Sequence, residues 1–290
     1  MFDPASEELR ISSHHGLRSC IGLAEECMQF AQIHIGKLGE QADDRAKFTF
    51  GIIGYAFRRL HASMRLLKTG QAADAAILAR TGIEGLAAPL AYMCSDDDEA
   101  DTVFSAWRDA QVNNVNRLGR VSRESVPLAG IDTQSTIVEN FLKHDGFDLN
   151  ESRSSRERSA LAKNWSFDRL MNRIEEAGIF DRDKLAVLRF YYSYLSSFSH
   201  GDLLAVLWQQ QHLNEEEVAF EQIILVGMQT TLLASAMPSL VHISIARKVG
   251  RYRTLSNWSS NRIEVLGNII HTQTEKYQRA VEAKMLRERV

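Results

Sequence analysis

The chain has 290 residues, 44% hydrophobic and 24% charged, enough apolar material for a sizeable core, and this excludes disorder as the default state. A formal net charge of -3 excludes bulk attraction to nucleic acid or anionic membrane, so any such binding needs a local patch. Three cysteines without paired spacing (Cys20, Cys27, Cys94) exclude a disulfide framework and point to a reducing cytoplasm.

The N-terminal stretch MFDPASEELRISSHHG is acidic and lacks an apolar signal-peptide segment. With only 4 prolines and 17 glycines, and apolar residues recurring three and four apart, the pattern predicts an all-α chain. A first helix is expected from about Glu7 to Leu38, with Cys20 and Cys27 seven apart on one core-facing side. A second runs from about Gln41 to Lys68 and stops at Thr69-Gly70, where the glycine suits a helix C-cap. A third spans Gln71 to Cys94, and Ser95-Asp96-Asp97-Asp98 reads as the N-terminal cap of a fourth, to about Val121.

The region 122–164 holds Pro127, Gly130, Gly146 and the polar run ESRSSRERS, with a short helix at 133–143, and reads as a loop or the edge of a site. Helices follow over 166–177, 181–200 and 203–211. A long one spans 214–248, opened by Asn214 and three glutamates, and a charged one spans 256–289. Residues 223–246 carry no Asp, Glu, Lys or Arg and are long enough to cross a bilayer. Gln229, Thr230, Thr231, Ser235, Ser239, His242, Ser244 and Pro238 within that stretch instead favour a buried core helix and a soluble protein. The expected architecture is a multi-helix up-and-down bundle over 1–255 with an additional charged C-terminal helix over 256–290, for packing or homodimerisation.

Two helices carry polar residues in apolar settings. Arg80 and Glu84 lie four apart among Ile, Leu and Ala, in the order that is less favourable for an exposed helical pair, so a partner on a neighbouring helix is expected. Pro89 is expected to interrupt the hydrogen-bond ladder near Gly85 and kink this helix. In LAVLRFYYSYLSSFSHGD, Arg189, Ser193, Ser196 and His200 form one stripe, with Ser197 beside it and Phe190, Tyr191, Tyr194 and Phe198 mostly on the other faces. Such a stripe wants a polar counterpart, and Arg80 with Glu84 is the best one the chain offers, set to face Ser196 and His200. Gly201 can end the helix and leave His200 at its C-terminus, where the dipole favours a protonated ring.

The segments ILARTGIEG, with its R-x-x-x-E, and Tyr192-Ser-Tyr-Leu-Ser196-Ser-Phe-Ser-His200, with its Y-x-x-x-S-x-x-x-H, resemble an all-helical bacterial family of unknown function over about 45–245. The arrangement is also distantly similar to HEPN domains, which resemblance implies a component of a bacterial defence or toxin system and a metal-independent RNase. Those domains place an Arg four to six residues before a His on one helix. Here no Arg lies between Arg189 and His200, so Arg80 would supply the cation.

Two functions stand side by side. In one, His200 is a general base on a ribose 2′-hydroxyl, Arg80 steadies the phosphorane charge, and Glu84 and Ser196 orient the two; RNA or a nucleotide is the ligand. In the other, the same four residues form a structural lock in a non-enzymatic interaction or ligand-sensing module. No phosphate loop, G-x-G-x-x-G, H-E-x-x-H or C-x-x-C occurs, and no cofactor is implied. His14-His15 lacks carboxylates at ligand spacing and reads as a solvated terminus. The basic groups at Arg153, Arg156, Arg158 and Lys163, and at Arg247, Lys248, Arg251 and Arg253, read as solvated faces, with phosphate contact as their second reading.

Overall fold

The computed structural model describes residues 4–39, 44–96, 100, 154, 156–157, 159–160, 166–200, 216–248 and 256–287. Within them lie eight helices: α1 (Pro4–Ser13), α2 (His15–Gly39), α3 (Asp44–Lys68), α4 (Ala72–Cys94), α5 (Phe167–Glu176), α6 (Arg182–His200), α7 (Glu216–Lys248) and α8 (Ser256–Arg287). The protein is all-α, with the charged C-terminal helix in place as expected. The helices expected over 97–121, 133–143 and 203–211 fall almost wholly outside the described residues, as does the segment 122–164.

Where the ends are described, they are closed by recognisable chemistry. Gly70 adopts φ +87°, donates to the Leu67 carbonyl at 3.1 Å, and lets Gln71 donate to Leu66 at 2.9 Å, the paired bonds of a Schellman cap. The Ser166 hydroxyl accepts from the Arg169 amide at 3.4 Å to start α5, and Asp181 Oδ1 accepts from Asp183 at 2.8 Å to start α6.

The one long first helix expected from Glu7 to Leu38 is instead two. His14 sits between them, and its Nδ1 accepts from the Leu17 amide at 3.2 Å, so an imidazole caps α2. The same ring meets Phe220 at 6.1 Å between centroids, so His14 is half-buried rather than part of a solvated terminus. His15 is exposed, as expected.

The core is centred on α4 and α7. Helix α7 packs against α2, α4 and α8, and α4 packs against α3, α7, α5 and α6. The α3–α4 contact is close because α4 turns glycines toward it: a Cβ on Gly82 would lie 2.8 Å from Leu60 Cδ2 and 3.1 Å from the Ala56 carbonyl oxygen. Helix α4 continues through Pro89 and α7 through Pro238, so neither proline ends its helix.

The span Val218–Arg247 is long and apolar enough to cross a membrane, and its most apolar window is almost entirely buried by the rest of the chain. Its hydroxyls are buried without penalty because they bond to its own backbone: Thr230 to Val226 at 2.8 Å, Ser235 to Thr231 at 2.7 Å and Ser239 to Ser235 at 2.8 Å. The three cysteines are free and buried, and Cys20 and Cys27 lie in the core as their spacing predicts.

Candidate functional site

The sequence of α4 separates two kinds of contact. Gly82 and Gly85 face α3, whereas Arg80 and Glu84, on the opposite side of the helix, stand where α4 meets α5 and α6. Arg80 Nη2 donates to Glu84 Oε1 at 2.9 Å, and the two side chains are 19% and 40% exposed. An isolated helical pair in this order and at this exposure contributes only about 0.3–0.5 kcal/mol. The tertiary partner that the sequence demanded is the hydroxyl of Tyr192 on α6, which donates to the same Glu84 oxygen in a short hydrogen bond.

Tyr192 is held from both sides. Phe167, the first residue of α5, stacks on its ring with centroids 3.7 Å apart and planes 20° apart, and the Arg80 guanidinium carbon stands 5.6 Å from the ring centroid. Both aromatic residues are buried. Burial, and then the Glu84 carboxylate, push the Tyr192 phenol well above its ordinary pKa, so it remains a proton donor at neutral pH. The arrangement is a carboxylate gripped by a guanidinium and a phenol, open to solvent on one side.

The rest of the α6 stripe divides among several neighbours. Arg189 Nη2 lies 2.9 Å from Glu175 Oε2 on α5, and the other oxygen of Glu175 takes Arg182 at 2.8 Å, so the first turns of α6 are tied to α5. Ser193 is exposed, Ser196 is half-buried one turn beyond Tyr192, and Ser197 is buried with its hydroxyl on the Tyr194 carbonyl at 2.7 Å. His200 is the last residue of α6; its side chain, Gly201 and Asp202 lie outside the described residues.

Tyr192 belongs to the segment quoted above, at the margin of the polar stripe, but it was not among the four expected site residues, and Phe167 was not foreseen. The available signal was the spacing of Tyr192, Ser196 and His200, four apart each time.

The fold and the site define an all-helical protein in which an Arg–Glu pair on one helix is answered by a tyrosine on another. The chain belongs to a family of unknown function, DUF5677, whose model matches residues 47–219. The matched stretch contains Arg80, Glu84, Phe167, Tyr192 and Ser196, and leaves out α1, α2, α8 and most of α7. Comparison with curated proteins and with solved structures finds no significant match.

Proposed function

We propose that the protein is a HEPN-like component of a bacterial defence or toxin system that acts in the cytoplasm, as a homodimer, on RNA. The observation that carries this reading is the half-open Arg80–Glu84–Tyr192 cluster, placed two helical turns before His200 at the end of α6. In this reading His200 takes the proton of a ribose 2′-hydroxyl. The freed oxygen attacks phosphorus, the bond to the 5′-oxygen breaks, and that oxygen takes a proton from water, so a 2′,3′-cyclic phosphate and a 5′-hydroxyl result. Arg80 offers charge to the phosphorane oxygens, and Ser196 helps to orient the reacting groups. Glu84, fixed by the Tyr192 phenol, holds the guanidinium in place.

A second reading rests on the same geometry. Glu84 has partners on its own helix and across to α6, and Tyr192 is clamped against Phe167, which is how a structural lock joining α4, α5 and α6 would be built. Arg80→Ala and His200→Ala part the two readings. The RNase predicts near-native melting temperatures with loss of cleavage of single-stranded RNA, or of toxicity on expression. A melting temperature several degrees lower, with no cleavage in the wild type to lose, establishes the lock instead.

A further inference from the structure

Away from the Arg80 cluster, α7 buries a histidine that no part of the proposed function uses. His242 is fully buried, and neither ring nitrogen has a hydrogen-bond partner. Its neighbour on α2 is His34, with ring centroids 5.3 Å apart. The Nδ1 of His34 lies 2.8 Å from the Phe30 carbonyl oxygen; a carbonyl only accepts, so Nδ1 carries the proton.

Phe30 in turn stacks on Trp258 of α8, with centroids 4.2 Å apart, and stands edge-on to His242 at 5.5 Å. Four rings thus join α2, α7 and α8. Among the described residues, the charged and titratable groups around them are His34, Cys27 and Glu26 on α2, Arg262 on α8 and Cys94 on α4. Arg262 lies 4.9 Å over Trp258 and 3.4 Å from Glu26, and Cys94 contacts Ser244 at 3.6 Å. No carboxylate touches either imidazole among the described bonds, and no group of three potential metal ligands occurs among the described residues.

We propose that the His34–His242 pair is an acid-released latch: neutral, the two rings fill the aromatic box that seats the start of α8 on the bundle, and protonated, they expel it. A proton on His242 enters a site with no acceptor and no counter-charge among the described residues, and a proton on His34 repels it from 5.3 Å. Burial, and then the charge of His34, lower the His242 pKa from 6.5 to about 4. A lowered histidine pKa means that the closed state is fully favoured above about pH 6.5. The advantage then shrinks as pH falls toward 4, because the opened state binds the proton and the closed state does not. For one ring with these limits, the opening equilibrium rises roughly twentyfold from pH 7 to pH 5.

The test is hydrogen exchange on the full chain at pH 7 and pH 5, corrected for intrinsic rates, together with the same measurement on His242→Phe. The expected result is about twentyfold lower protection over residues 256–270 at pH 5, with α3 and α4 still protected, and a flat profile in the variant. Should His242→Phe fail to fold, the wild type decides alone, through the His242 ring signals in an NMR titration. A ring that stays neutral until α8 exchanges supports the latch. A ring that protonates near pH 6.5 in the closed protein, or loss of α8 only together with α3 and α4, overturns it.

Discussion

At the scale of single residues, the Tyr192 hydroxyl links the Arg80–Glu84 pair to another helix. Tyr192→Phe removes that hydroxyl and keeps the ring on Phe167 and the Arg80–Glu84 pair intact. A hydrogen bond to a carboxylate contributes about 1.5–3 kcal/mol when sealed, and Glu84 at 40% exposure can recover some of this from water. The expected loss in urea unfolding is therefore about 1 kcal/mol, and a variant as stable as the wild type would show that the hydroxyl joins nothing. Much of this site was legible in advance. Arg80 and Glu84 announce themselves as two charges in an apolar helix, but a tyrosine reads equally well as core, and only its distant partner reveals which end of it matters. His34 and His242 were less legible still, because they lie more than 200 residues apart in the chain and their meeting is a fact of helix packing.

At the scale of elements, glycines of the same helical pair divide by what surrounds them. Gly82→Ala gains up to about 1 kcal/mol of helix propensity but drives a methyl into Leu60 and the Ala56 carbonyl, which costs about 1–3 kcal/mol, so net destabilisation is expected. Gly54→Ala on α3 meets nothing within 4 Å and should stabilise by about 0.5–1 kcal/mol. Thermal melts of the two variants beside the wild type check both signs, and a stabilised Gly82→Ala would mean that α3 and α4 can slide apart at no cost. The stop of α3, both ends of α4 and the start of α6 could be read closely from periodicity and from the glycine at Gly70. The break between α1 and α2 could not, because a histidine is an uncommon cap and His14 takes that role only where Phe220 of α7 shelters its ring.

At the scale of the whole molecule, the packing of α2, α4 and α7 predicts how accessible the thiols are. Burial pushes the Cys20 thiol up to about 12 and the Cys27 thiol up to about 11, so neither forms appreciable thiolate at pH 8, and all three cysteines are shielded from reagent. Iodoacetamide at pH 8 is expected to leave the native protein unlabelled over minutes and to modify three thiols once urea unfolds it, as read by intact mass. Rapid native labelling at Cys20 would mean that the α2–α7 seam opens on its own. The charge-free stretch 223–246 carries serines, threonines and a histidine among its apolar residues, and the helices around it bury its most apolar window.

The seat of α1 and α2 also orders events during synthesis. Leu17 packs on Gly227, Gly16 meets Met228, and Arg10 lies 3.8 Å over Phe220, so α1 and α2 dock on a helix that lies more than 200 residues further along the chain. Until residues beyond about 230 emerge, the apolar face of α2 lacks the cover that α7 gives it. Closing so long a loop is slow for a helical protein, whose contacts are usually local. Helices α2 and α7 therefore stay unpaired while the residues between them are made.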